Sequence, residues 1–420
     1  MSSDGWKKIK LKEFAELVNQ PYQPSSGENF NYIGLEHIEQ QTLRINGIGN
    51  SSDVISQKHR FNAGDILFGK LRPYFRKVVR PSFDGVCSTD IWVVRAKPGF
   101  DQSFLFYFLA NQSFIDACNS GSSGTRMPRA DWNHLSETLW ELPSLQEQKS
   151  IAEVLSALDD KIELNRQTNA TLEAIAQAIF KEWFVDFNYP GATGEMVKSE
   201  LGLIPKGWHV VPIGDLFGFV IGGDWGFEKQ QNEDDVLCSV IRGTDFENLS
   251  KGIVESVPHR FIKHKSFQKR CLREGDIIFE ISGGSKTQAT GRNIWVSSEI
   301  LDLFDFPVVP TSFCRLIRPG DIGISVYLGI FLSSFYKAGA TWDYQLQSTG
   351  ISNFQFVDFS TRLKIVVPDK LTLQTFEKIA YSLLSLQAAN AKNNKSLISS
   401  LNLLLSRFFN NSHECLETQI

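Results

Sequence analysis

The chain has 420 residues, 42% hydrophobic and 21% charged, with 43 Lys and Arg against 47 Asp and Glu, a net of −4. That length supports roughly two to four domains, and that balance excludes a polybasic binder while leaving local basic patches open. No apolar run reaches the ~18 residues of a membrane span, Met1–Lys10 has no signal-peptide core, and the six cysteines form no C-x-x-C pair, so a cytoplasmic protein with reduced thiols is expected.

In chain order, Asp65–Phe68 and Val86–Val94 read as strands. Phe104–Ala110 (FLFYFLA) is a buried run that periodicity alone leaves as helix or strand. Residues 145–184 hold neither Gly nor Pro and read as one helix, with Ser144 as N-cap and Glu147 as its capping-box partner. Its seam is Ile151, Leu155, Leu158, Ile162, Asn165, Asn169, Leu172, Ala176, Ile179 and Trp183, in the alternating steps of a coiled coil. Residues 144–190 carry four basic and eight acidic side chains, Asp159 and Asp160 on a solvated face among them. Such a surface suits a protein partner better than phosphate, with Glu153, Asp160 and Glu163 as docking positions. Asn188–Gly207, rich in Gly and Pro, reads as a connector. Asp276–Phe279 and Ile294–Val296 read as strands, and Val326–Leu332 as a second buried run. A second helix over 370–409 has the seam Phe376, Ala380, Leu383, Gln387, Asn390, Asn394, Leu397, Leu401, Leu404 and Phe408.

The chain repeats itself. Gly5-Trp6 returns as Gly207-Trp208, His59-Arg60-Phe61 as His259-Arg260-Phe261, and Gly64-Asp65 as Gly275-Asp276, each pair in the same order. The offset grows from 202 to 225 residues, far beyond a solenoid period of ~20–50. Two homologous halves are implied, each a mixed α and β domain followed by a helix. Both helices carry a pair of seam asparagines, Asn165/Asn169 and Asn390/Asn394, which fix register at a cost in stability. The asparagine layers meet in either direction; two equal halves at the ends of a shared stalk argue for antiparallel pairing.

Basic residues gather in loops. Lys70–Arg80 has five, among Tyr74 and Phe75, and no acid. Ser122–Arg129 adds Arg126 and Arg129. In the second half, Lys263–Arg273 has five Lys and Arg, Ser282–Arg292 is polar and glycine-containing, and so is Gln345–Asn353. These side chains reach base edges and phosphates. The candidate DNA contacts are Lys70, Arg72, Arg76, Lys77, Arg126 and Arg129, then Lys286, Thr287, Gln288, Arg292, Gln347 and Ser348. Arginine suits guanine edges and Gln288 adenine, while lysines hold phosphate. No enzyme motif surfaces: Ser282–Thr287 lacks G-x-x-x-x-G-K, and H-E-x-x-H and G-x-S-x-G are absent. The seven histidines show no metal-ligand spacing. Glu280 beside Lys286 is the one acid left for a cryptic nuclease site.

The segments LPSLQEQKSIAEVLSALDDKIELNRQTNATLEAIAQAIFKEWFVDF (142–187), GDILFGKLRPYFRKVV (64–79), GVCSTDIWVV (85–94), GTRMPR (124–129) and GDIIFEISGGSKTQATGR (275–292) carry a resemblance. Over essentially the whole chain it resembles the specificity subunit of a type I restriction–modification system. The resemblance implies an α+β fold of two target-recognition domains, each followed by a long conserved helix. The helices would pair as an antiparallel coiled coil with pseudo-twofold symmetry. The implied division is 1–144 first recognition domain, 145–187 central helix, 188–369 linker and second recognition domain, and 370–412 C-terminal helix. It implies a non-catalytic subunit that reads a bipartite, asymmetric target on double-stranded DNA. Two modification (methyltransferase) subunits would dock on the helices, and restriction subunits would join them. The chain itself would hold no cofactor; methyl donor, ATP and magnesium would sit on the partners. The competing readings are a coiled-coil scaffold that binds no DNA, a specificity subunit serving fused methyltransferase–nuclease chains, and a nuclease built around Glu280.

Overall fold

In a computed structural model, residues 6–25, 28–120, 127–285, 287–347 and 352–409 are described. The chain divides into two compact units, Met1–Asp160 with Ile398–Ile420, and Lys161–Leu397. Among the described residues no helix is long and apolar enough to cross a membrane.

The first unit holds a four-stranded antiparallel sheet in the order Ala15–Leu17, Ile91–Ala96, Ile66–Gly69, Val78–Val79. The second unit repeats it as Phe219–Gly222, Cys314–Arg318, Ile277–Glu280, Asn293–Trp295. Each unit also pairs an early strand with its last: Lys7–Lys10 with Leu139–Leu142, and His209–Pro212 with Lys364–Val367. The repeat is therefore one of topology as well as of sequence. Each unit also has a second sheet: five strands centred on Gly85–Cys87 in the first, three centred on Val236–Ile241 in the second.

The duplicated motifs do the same work twice. Asp65 and Asp276 are buried, and each accepts a backbone N–H three residues upstream, from Asn62 at 2.8 Å and Arg273 at 2.7 Å. Each then takes a two-point bond from an arginine of the neighbouring strand: Arg95 at 2.8 and 2.9 Å, and Arg318 at 2.7 Å twice. The Trp6 indole N–H donates to Glu147 at 3.3 Å, and that of Trp208 to Asp369 at 3.0 Å. Each tryptophan thus ties its domain to the start of the long helix that comes after it.

The long helices are Leu145–Phe184 and Lys370–Phe409. Ser144 accepts from the Glu147 N–H as expected, but the Glu147 carboxylate turns to Trp6, so the capping box is half formed. Both ambiguous runs are helices, Gln102–Ala110 and Ile322–Lys337, opened by Asp101 and Asp321, whose carboxylates cap the first-turn N–H groups. The strand expected over Val86–Val94 is two strands, Gly85–Cys87 and Ile91–Ala96. The connector contains a hairpin, Met196–Ser199 with Gly202–Pro205, clamped by the Glu195–Lys206 ion pair.

Within the second unit the asparagines settle the direction of pairing. Asn165 Nδ2 donates to Asn394 Oδ1 at 2.8 Å, and Asn390 Nδ2 donates to Asn169 Oδ1 at 2.8 Å. A step forward on one helix is a step backward on the other, so the helices run antiparallel. Asn169 and Gln387 also trade side-chain amide for backbone carbonyl in both directions, at 3.0 and 2.9 Å.

The seam departs from the expected one in places. Asp159, not Leu158, is buried on the first helix, and Leu405 and Phe409 replace Leu404 and Phe408 on the second. A straight helix drifts ~20° per heptad from a strict seven-residue repeat. The helix end also packs on its own unit: Phe409 lies 5.3 Å from Phe104 and 6.0 Å from Phe108, ring centre to ring centre.

Asn165 and Asn394 are fully buried, and Asn394 Nδ2 finds no partner among the described residues. Asn165→Ala is expected to cost ~1–3 kcal/mol, because it strands Asn394 Oδ1 as well. The double change Asn165→Leu with Asn394→Leu is expected to restore most of that loss. Denaturant unfolding of the parent, the single variant and the double variant checks this.

Candidate nucleic-acid interface

The strand Ile66–Gly69, held at its start by the Asp65–Arg95 lock, delivers Lys70–Arg72. That segment zips to a distant one: Leu71 bridges Arg129, Arg72 N–H donates to Pro128 O at 2.8 Å, and Ala130 N–H to Lys70 O at 2.9 Å. In the second unit Ile277–Glu280, held by Asp276–Arg318, delivers Ser282–Gly283, which pairs with Ser352–Asn353. The same strand thus feeds the same kind of antiparallel contact in both halves. Two segments far apart in sequence become one surface each time.

In the first unit Lys70 and Arg72 are half-buried, and their side chains meet no polar partner among the described residues. Arg72 and Arg76 both adopt left-handed backbone, φ 51° and 47°, on either side of the short helical turn Pro73–Phe75. Such strain persists only where surrounding contacts enforce it. Here Gln41 supplies them: its N–H donates to Phe75 O and its side-chain amide to Tyr74 O. Tyr74 is left exposed at the tip. Arg129 is exposed, with Nε 3.3 Å from Asp90.

Arg76 and Lys77 each turn donors inward, although Arg76 Nε is buried without a partner among the described residues. Arg76 donates to Gln41 O at 2.8 Å and to Asn402 Oδ1 at 3.4 Å, and burial lowers its pKa. The Lys77 ammonium donates to Leu35 O, and burial lowers its pKa as well. Both lie at the loop's base, where they hold its shape.

In the second unit Thr287 and Gln288 are exposed on a tight turn closed by Ser285 N–H to Gln288 O at 2.8 Å. Thr290 donates its N–H and hydroxyl to Gln345 Oε1 at 2.8 and 3.1 Å, and Ser282 donates to Asn353 Oδ1 at 2.9 Å. These bonds join the polar loop to the paired strands Gln345–Gln347 and Ser352–Phe354. Arg292 is different. Its Nε donates to Glu280 Oε2 at 2.9 Å and an Nη to Oε1, and both side chains are largely buried. Burial works against the arginine's charge, but the bond and attraction of Glu280 hold its pKa raised. Glu280 is therefore the lock of this loop, with no vacant carboxylate for metal or water, and the nuclease reading loses its one residue. Arg126, Lys286 and Ser348 lie outside the described residues, as does the Gln347 side chain.

The acidic helix is also less open than its composition suggests. Asp159 is buried and receives Arg44, which donates to its carboxylate and to its carbonyl at 2.8 Å. Glu153 and Asp160 are exposed, while Glu163 is half-buried and accepts from Gln167 at 3.0 Å. A cavity of about 450 Å³ in the second unit lies along the helices, lined by Gln177, Trp295 and Ile330 among others, and no candidate DNA contact lines it.

Residues 3–174 match the type I restriction modification DNA specificity domain. Over that segment the chain is similar to the specificity subunits of type I restriction–modification systems. It is 31% identical over 186 residues to the EcoDI specificity subunit of Escherichia coli, covering 42% of this chain and 41% of that one. It is 33% identical over 199 residues to the MjaIX specificity subunit of Methanocaldococcus jannaschii, covering 46% and 44%. The chain thus spans less than half the length of each. The fold is shared with the crystal structure of a type I restriction–modification S subunit from M. genitalium, at TM-score 0.55, 14% identity and 96% of both chains.

The family match ends within the first long helix, so the second domain enters through the internal repeat. Sequence reasoning missed Asp90, and it marked the Gln345–Asn353 segment without assigning Gln345 and Asn353 to holding the loop. Asp90 is a lone polar residue far in sequence from the Arg129 it holds.

Glu280→Ala strands the buried Arg292 and is expected to destabilise the second unit by ~3–5 kcal/mol. The unfolding midpoint of that variant against the parent checks it.

Proposed function

We propose that the chain is the DNA-reading subunit of a type I restriction–modification complex. Domain 1–144 reads one half of a bipartite, asymmetric target, and domain 188–369 reads the other. The helices 145–187 and 370–412 set the gap between the halves. The observation that carries this reading is the repeated zip: in both halves a locked strand presents a polar loop already joined to a second polar segment. Pre-joined loops lose little freedom on binding, and Arg, Gln, Thr and Lys are the side chains that read bases and hold phosphates.

The subunit does no chemistry of its own. It directs two modification subunits, which carry the methyl donor, and restriction subunits, which use ATP and magnesium. It works in the cytoplasm, where the DNA is. In the first domain the contacts are assigned to Lys70, Arg72, Arg126 and Arg129. In the second they are assigned to Thr287, Gln288, Gln347 and Ser348, with Lys286 on phosphate. Arg76, Lys77 and Arg292 hold these loops in place.

Co-expression with modification subunits, followed by sequencing of host DNA for adenine methylation, tests the reading. One bipartite motif with a fixed gap is expected. A stable complex that methylates no motif would overturn it in favour of a scaffold.

A further inference from the structure

The duplicated His-Arg-Phe motif lies outside the loops and has no part in the proposed reading of the target. In the first unit its strand, Lys58–Phe61, runs beside Gly85–Cys87, with His59 opposite Cys87. Alternation along a strand puts His59 and Phe61 on one face, and Lys58 and Arg60 on the other. Phe61 enters the core. Arg60 stands exposed on the outer face, over a pair of rings: its guanidinium is 4.8 Å from the centre of Tyr22 and 4.7 Å from that of Phe30. The rings meet edge to face at 5.4 Å, and the Tyr22 hydroxyl donates to Glu28 at 2.9 Å. Among the described residues no carboxylate pairs with Arg60.

A guanidinium stacked on rings keeps its N–H edge free. The rings fix its plane, so little rotamer freedom is left to lose when the edge meets an anion. The planar fork matches a phosphate. Position also fits. The Lys58 end of the strand abuts the Ser88–Asp90 turn, which holds Lys70 N–H at 3.0 Å and Arg129 Nε at 3.3 Å. Arg60 lies two residues farther, about 7 Å along the strand, or about two base-pair steps along one DNA strand.

The second unit holds the same arginine in another state. Arg260 stacks on Trp225 at 4.9 Å, but an Nη sits 3.3 Å from Glu228, and the side chain is 20% exposed against 79% for Glu228. One nitrogen of the fork is thus engaged by a carboxylate that itself reaches into solvent, another reaches His259 O at 3.5 Å, and Nε is buried without a hydrogen-bond partner among the described residues.

We propose that Arg60, stacked on Tyr22 and Phe30, is a DNA-phosphate contact outside the recognition loops, and that Glu228 keeps its counterpart Arg260 from making one. The ligand is the phosphodiester backbone, so the contact adds affinity and register but no base preference. The proposal rests on the DNA-reading function.

The test uses the full chain assembled with its modification subunits and a random-sequence duplex, with binding followed across a salt series. Arg60→Gln is expected to weaken binding about tenfold and to flatten the slope of log K against log[salt] by about 0.9. Arg60→Lys keeps most of that slope. Arg260→Gln leaves it unchanged, and Glu228→Gln steepens it by about the same amount. An unchanged slope for Arg60→Gln, with only a lower melting temperature, would make Arg60 a staple of its sheet and overturn the proposal. An unchanged slope for Glu228→Gln would overturn the part that concerns Arg260. Failure of the DNA-reading function itself is visible beforehand, as an unsubstituted complex that shows no salt-dependent binding.

Discussion

The fold hangs on one interaction made twice: a buried aspartate at the start of a central strand, gripped by an arginine of the next strand. Asp65 with Arg95 and Asp276 with Arg318 each fix where a strand begins, and so where it ends. Each strand end leads directly into the loop that makes the surface. A two-point bond fixes both the distance and the plane of the arginine. A buried carboxylate left without that partner would carry an uncompensated charge. The register of the sheet and the placement of the loop are therefore one constraint.

The loops obey a similar division. Some of their charges hold shape and others are left to the outside. Arg76, Lys77 and Arg292 bond inward, while the side chains of Lys70 and Arg72 form no ion pair among the described residues. A basic loop thus leaves only part of its charge facing outward. The helices divide their seam in the same way. Asn165, Asn169, Asn390 and Asn394 give up apolar contact for hydrogen bonds that only one register satisfies.

Much of this was legible in the sequence, and the reasons differ by feature. The helices were readable to the residue because 40 positions without Gly or Pro average out local noise. The repeat was readable because order is harder to imitate than any single match. The antiparallel direction needed coordinates, since either direction lets the asparagines meet. Asp159 was misjudged as solvated because its partner Arg44 lies 115 positions away. Loop roles were the least legible. Arg76 and Arg72 are alike in composition and neighbourhood, yet one meets Gln41 and the other does not. Nothing local in a sequence records such a distant partner. The buried runs at 104–110 and 326–332 carried a usable sign, the aspartate three to five residues ahead, that periodicity alone passed over.

The central claim is that each half of the chain reads one half of the target independently. The direct measurement is the methylation motif of the complex carrying Arg72→Ala, compared with that of the parent. The account predicts relaxed discrimination, ~1–3 kcal/mol at one position, confined to one half of the motif, with the other half and the gap unchanged. Relaxation in both halves, a changed gap, or a uniform loss on every sequence would contradict it.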